Sequence, residues 1–120
     1  MYLNQGTGKI GENLACQYLE KSDYKILKRN FRCRQGEIDI IAYDETTNEL
    51  VFVEVKARTS LKYGRPGEAV ERVKQQHIKN VAKYYIFKNK IADKPTRFDV
   101  IEVFLNNSNY KIEHIKQAFE

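Results

Sequence analysis

Along residues 8–21, apolar side chains recur at helical spacing. Ile10, Leu14, Ala15, Tyr18 and Leu19 fall on one broad stripe at 100° per residue. Glu12 lies at the margin of that stripe, beside the angular position of Leu19. Ser22-Asp23 closes the helix, and a polar-alternating strand follows over Tyr24–Arg34, with Tyr24, Ile26 and Leu27 as its apolar content. Gly36–Tyr43 and Leu50–Ala57 are dense in Ile and Val and read as the two firmest strands. The polar stretch from Asp44 to Glu49 joins them at hairpin length. Thr59–Gly67, with Gly64, Pro66 and Gly67, predicts a mobile loop. Helical spacing returns over Glu68–Asn89, where Val70, Val73, His77, Ile78, Val81, Ala82 and Tyr85 share one face. A turn around Pro95 leads to two last strands, Arg97–Leu105 and Tyr110–Ile115, joined through Asn106-Asn107-Ser108-Asn109. The predicted order is α-β-β-β-α-β-β, an α/β mixed sheet flanked by helices. No repeat or low-complexity linker divides the chain, so residues 1–120 are expected to form a single domain.

Strand alternation turns the central hairpin into a candidate site. Glu37, Asp39 and Ile41 share one face of the first strand, opposite Ile38, Ile40 and Ala42; Phe52, Glu54 and Lys56 share a face of the second. Folding with Tyr43 opposite Leu50 sets Ile41 against Phe52, Asp39 against Glu54 and Glu37 against Lys56. Two carboxylates whose side-chain roots lie roughly 4.5–5.5 Å apart repel one another. A divalent cation relieves that cost, and Mg²⁺ is held by one or two carboxylates plus waters and phosphate oxygens. Lys56, roughly 7 Å along the strand from Glu54, is placed to orient a water and offset charge growing on a phosphorane-like transition state. Taken alone, these side chains also read as ordinary exposed ion pairs. Alternation puts them on one face and names no reaction.

Charge changes the picture more than composition does. Hydrophobic residues make up 42% of the 120 and charged residues 31%, which argues against disorder. Of 21 Lys and Arg, five fall in residues 25–34 (Lys25, Lys28, Arg29, Arg32, Arg34) and six in residues 72–90, and neither window holds an acid. The rest of the chain carries 10 bases against all 16 acids. Segregated basic stretches attract polyanions by counterion release, and nucleic acid is the usual one. No apolar run approaches the roughly 18 residues of a membrane span, and MYLNQGTGK lacks the core of a signal peptide, so no membrane association and no export are expected. Cys16 and Cys33 show no CxxC or Cys/His spacing, consistent with reduced thiols in the cytoplasm and no zinc finger.

Asp39 followed by Glu54-Val55-Lys56 resembles the bipartite PD-(D/E)xK signature of restriction-endonuclease-like nucleases. Over nearly the whole chain the sequence is similar to the YraN family of small bacterial proteins, regarded as predicted endonucleases. The matching segments are Gly11-Glu12-Asn13-Leu14-Ala15, Gly36 to Ala42, Val51 to Arg58, Lys74-Gln75, Arg97-Phe98-Asp99-Val100 and Ile115 to Phe119. Ile38 stands where the signature has proline. The layout also resembles archaeal Holliday-junction resolvases, which are homodimers with a metal-dependent site.

The resemblance implies a restriction-endonuclease-like fold and a DNA endonuclease using Mg²⁺ or Mn²⁺, with branched or structured DNA as candidate substrate and a homodimer by analogy. Glu12, Asp39 and Glu54 would bind the metal, and Lys56 would be the catalytic lysine. Gln75, approaching from the second helix, and Glu37 would support or orient. Lys28, Arg29, Arg32, Arg34, Arg58 and Lys74 are the expected nucleic-acid contacts, with Lys62 and Arg65 on the glycine-containing loop beside them. His77 is expected to pack, and Asp99 to make a structural hydrogen bond or ion pair. The alternative is a nucleic-acid-binding module that keeps the fold and does not cut.

Overall fold

Leu50, Val51, Phe52 and Val53 are consecutive and all buried, which a strand achieves only when both its faces are covered. The computed structural model describes residues 2–59 and 70–120, with residues 2–7 as backbone only. Its elements are α1 (Tyr2–Lys21), β1 (Tyr24–Cys33), β2 (Gly36–Asp44), β3 (Glu49–Arg58), α2 (Arg72–Lys88), β4 (Thr96–Asn106) and β5 (Asn109–Phe119). They follow the predicted order. The sheet runs β1-β2-β3-β4-β5, with β3 and β4 parallel and every other pair antiparallel. A parallel pair needs a crossover, and α2 supplies it.

Alternation assigns one helix to each face. Val51 and Val53 of β3 pack with Ala15, Cys16 and Leu19 of α1, whereas Leu50 and Phe52 pack with Ile78, Val81 and Ala82 of α2. Both helices differ in detail from their sequence stripes. Ile10, Val73 and His77 are exposed, and the buried seam of α1 keeps Ala15 and Leu19 of its stripe and adds Gly11 and Cys16. Gly11 decides this: a Cβ there would stand 2.7 Å from the Cβ of Ala57 on β3, so only glycine lets the helix come this close. Asp23, at φ +68°, then turns the chain from α1 into β1. No helix among the described residues is long and apolar enough to cross a membrane. The predicted loop Thr59–Gly67, with Lys62 and Arg65, lies outside the described residues after Thr59.

A buried ionic network ties six elements together near the amino ends of β3 and β4. The Arg97 guanidinium donates to both Asp99 oxygens at 2.9 and 3.0 Å, to Asp44 at 3.0 Å, to Glu49 at 2.7 Å and to the Tyr24 hydroxyl at 2.6 Å. His114 Nε2 lies 2.7 Å from Asp99 Oδ2, its Nδ1 lies 2.9 Å from the Tyr18 hydroxyl, and the Gln117 N–H donates to Asp99 Oδ1 at 3.0 Å. Burial alone would raise the Asp99 carboxyl, but hydrogen bonds with His114 and Arg97 hold it below its usual range. Asp44 is held low against the same opposition by Thr46 and Arg97. Burial pushes the Tyr24 phenol up to about 12. Asp99 thus has the structural role its sequence context suggested.

Candidate functional site

The β2–β3 ladder keeps the predicted register, with Tyr43 opposite Leu50 and Ile41 opposite Phe52, and it ends at Ile40 opposite Val53. Beyond that point the strands part. The Asp39 side chain fills the gap, its Oδ2 accepting from the Val55 N–H at 2.8 Å. Glu54 stands next to it, close enough that a protonated Asp39 donates to the Glu54 carboxylate.

An irregularity in β1 accompanies the parting. Asn30, between the pairs Arg29–Ile40 and Phe31–Ile38, has φ +51°, a left-handed conformation that asparagine tolerates. Side-chain alternation slips at this level. Arg29 and Asn30 are neighbours in sequence, yet both reach Glu12 on the α1 side. Across in β2, Ile40 packs with the α1 core and Ile38 with the α2 core. Ile38, Ile40 and Ala42 therefore do not share one face, as unbroken alternation requires.

The result is a groove of about 460 Å³ lined by Lys9, Glu12, Asn30, Arg32, Glu37 and Asp39 among others. Burial first, and then the charge of Glu54, push the Asp39 carboxyl from 3.8 up to about 7, against the hydrogen bond from Val55. Two neighbouring carboxyl groups, one of them driven toward its neutral form, are donors of the kind that suit a hard divalent ion. Glu12 reaches the same groove, carried there by the close contact of Gly11 with Ala57. Its Oε1, however, accepts from Arg29 Nη2 at 2.7 Å and Asn30 Nδ2 at 3.1 Å. Among the described residues, no three His, Cys, Asp or Glu side chains converge as a ready ligand set. The fold brings Asp39 and Glu54 together and leaves Glu12 turned to its neighbours.

Lys56 follows Glu54 by two residues on the same face of β3, and its register partner in β4 is Glu102. Glu102 is a fully buried acid, with Arg58 Nε 3.3 Å from its Oε2. Sequence reasoning gave Glu102 no role, although an acid inside an apolar strand was the available signal. The missing information was the parallel pairing of β3 with β4.

The supporting residues are rearranged. Gln75 does not point into the site: its Nε2 donates to the Val70 carbonyl at 2.7 Å, at the start of α2. Lys74 approaches instead, its Nζ 3.4 Å from Glu54 Oε2. Glu37 does not face Lys56; it pairs with Arg32 at 3.0 Å, because β2 has left β3 and keeps only its β1 partner. Of the expected nucleic-acid contacts, Lys28, Arg29, Arg32, Arg34 and Lys74 are exposed, whereas Arg58 is turned inward to Glu102.

The profile of the uncharacterised protein family UPF0102 matches residues 11–103. The chain belongs to UPF0102. It is 52% identical over 122 residues to a UPF0102 protein of Clostridium botulinum, covering 99% of this chain and 98% of that one. A UPF0102 protein of Caldicellulosiruptor bescii is 54% identical over 115 residues, covering 93% and 95%. The relative from Caldanaerobacter subterraneus is 49% identical over 115 residues, with 93% of each chain covered. UPF0102 is thus the family reached from the sequence under the name YraN. The span matching the UPF0102 profile opens on Gly11, whose contact with Ala57 positions Glu12, and it contains Asp39, Glu54, Lys56 and Glu102.

Proposed function

We propose that this UPF0102 protein is a Mg²⁺- or Mn²⁺-dependent endonuclease that hydrolyses phosphodiester bonds in DNA. The observation that carries the reading is the contact of Asp39 with Glu54 where β2 and β3 part, with Lys56 on the same face of β3. The resemblance of Asp39 and Glu54-Val55-Lys56 to the PD-(D/E)xK signature supports it. Asp39 and Glu54 would hold the ion, with Glu12 as the third acid from α1. A bound divalent ion would supply an acidified water and a polarised phosphate oxygen. The protein's own side chains do the remaining work. Asp39 would hold the ion as a carboxylate, Lys56 orients the attacking water, and its ammonium offsets charge growing on the phosphate. The exposed bases of β1 and α2 hold the sugar-phosphate backbone.

The test is cleavage of labelled linear duplex, single strand, flap and four-way junction DNA, each with Mg²⁺, Mn²⁺ or EDTA. Wild type is run beside Glu54→Ala and Lys56→Ala. Metal-dependent cutting that is lost in both variants is the expected result, and the preferred DNA names the substrate class. Cutting that survives Glu54→Ala removes the assigned site. Tight binding by wild type with no cutting of any DNA favours the non-catalytic module.

A further inference from the structure

Two of the three acids proposed to hold the metal, Glu12 and Glu54, are already paired with cations from neighbouring elements. Arg29 of β1 lies 2.7 Å from Glu12 and also donates to Asn13 Oδ1 at 2.6 Å; Lys74 of α2 lies 3.4 Å from Glu54. In both pairs the acid is the covered partner and the base the open one. Side-chain exposure is 12% for Glu12 against 39% for Arg29, and 16% for Glu54 against 45% for Lys74. Each cation therefore sits on the solvent side of its carboxylate and can swing outward without crossing the protein. Arg29 and Lys74 also belong to the two acid-free basic windows.

We infer that Arg29 and Lys74 are displaceable counter-ions. Each holds one carboxylate of the site while no metal is bound, and is released to a DNA phosphate when a divalent ion takes its place. The inference rests on the metal site proposed above and adds a coupling to it. A doubly charged ion held by Asp39, Glu54 and Glu12 would outcompete a single ammonium or guanidinium for the same oxygens. The freed cations then stand on the solvent side of the acids they leave, open to a phosphate. Metal entry would thus strengthen DNA binding, and DNA binding would strengthen metal retention by the same factor. Arg29 and Lys74 are positioning residues in this scheme.

The experiment reads binding rather than turnover. Calorimetric titration of the whole protein with Mn²⁺ is compared for wild type, Arg29→Gln, Lys74→Gln and the remote control Lys111→Gln. Fluorescence anisotropy of a labelled duplex is then measured in EDTA and in Mn²⁺, with every protein carrying Lys56→Ala to suppress cutting. Removing a competing cation should tighten Mn²⁺ binding roughly three- to tenfold in Arg29→Gln and in Lys74→Gln. The same two variants should lose most of the gain in DNA affinity that Mn²⁺ brings, and Lys111→Gln should behave as wild type. Mn²⁺ affinity that is unchanged or weaker in both variants overturns the counter-ion role while leaving the metal site standing. A wild type that takes up no Mn²⁺ overturns both.

Discussion

Asp39 and Asp99 sit on strands of one sheet, and their surroundings drive them in opposite directions. Asp99 shares its oxygens with Arg97, His114 and the Gln117 N–H, and its carboxyl is held below the usual range. Asp39 accepts from the Val55 N–H and then meets another acid, and its carboxyl is driven up to about 7. The residue type is the same; Asp99 is fully buried, Asp39 is half-buried at the groove, and the partners differ. Around Arg97 the fold completes every charge it buries, and such a cluster serves stability. Around Asp39 two acids stand side by side, the arrangement on which the proposed metal site rests.

The largest effect should come from breaking the completed side. Arg97→Leu leaves Asp44, Glu49 and Asp99 facing one another without their shared cation. A loss of about 3–5 kcal/mol is expected, read as a lower urea midpoint at neutral pH. A midpoint that hardly moves would mean the network contributes little.

On the other side, Gly11→Ala should cost roughly 1–3 kcal/mol, because its Cβ meets that of Ala57. Ala57→Gly in the same chain should recover most of the loss. Without that recovery, the close approach of α1 to β3 is not what requires glycine.

A smaller effect separates the two aspartates by pH. In the metal-free protein, Asp39 keeps its proton to about 7 when folded but loses it near 3.8 when unfolded. The folded state therefore binds more protons between those values, and stability should fall as pH rises from about 4 to about 7, by on the order of 1–2 kcal/mol. Asp99 and Asp44, held low, contribute fully above their unfolded values near 3.8 and lose that contribution only at lower pH. Urea midpoints across this range should slope in wild type and flatten in Asp39→Asn. An equal slope in both proteins would remove Asp39 as its source.

The smallest change concerns the basic surface. Lys28→Gln should lower the slope of log affinity against log salt for duplex DNA by about 0.9, with no change in urea midpoint. An unchanged slope would place Lys28 outside the DNA contact.

Much of this was legible in the chain. The hairpin register followed from Tyr43 and Leu50 flanking a polar loop, and a shift by one residue would put Asp39 and Glu54 on opposite faces. That register is enough to bring Asp39 toward Glu54. What escaped was tertiary. Nothing in a local pattern says that Asn30 adopts φ +51°, so the slip that sends Ile38 and Ile40 to opposite cores was invisible. Apolar periodicity put Ile10 in the α1 seam because it counts large side chains, whereas the seam is set by Gly11. The parallel pairing that sets Glu102 beside Lys56 requires the α2 crossover to be known first. Gln75 and Lys74 are adjacent on α2, and which of them reaches Glu54 depends on how that helix is rotated against the sheet.

The Arg97 cluster lies at the amino end of β3, beside Glu49, and the acid pair lies toward its carboxyl end, where β2 has already peeled away. β4 stays paired with β3 from Leu50–Thr96 to Arg58–Phe104, so one unbroken parallel rib joins the two places. The opening between Asp39 and Glu54 is therefore a notch on the β2 side alone, backed by that rib and by the close approach of Gly11 to Ala57.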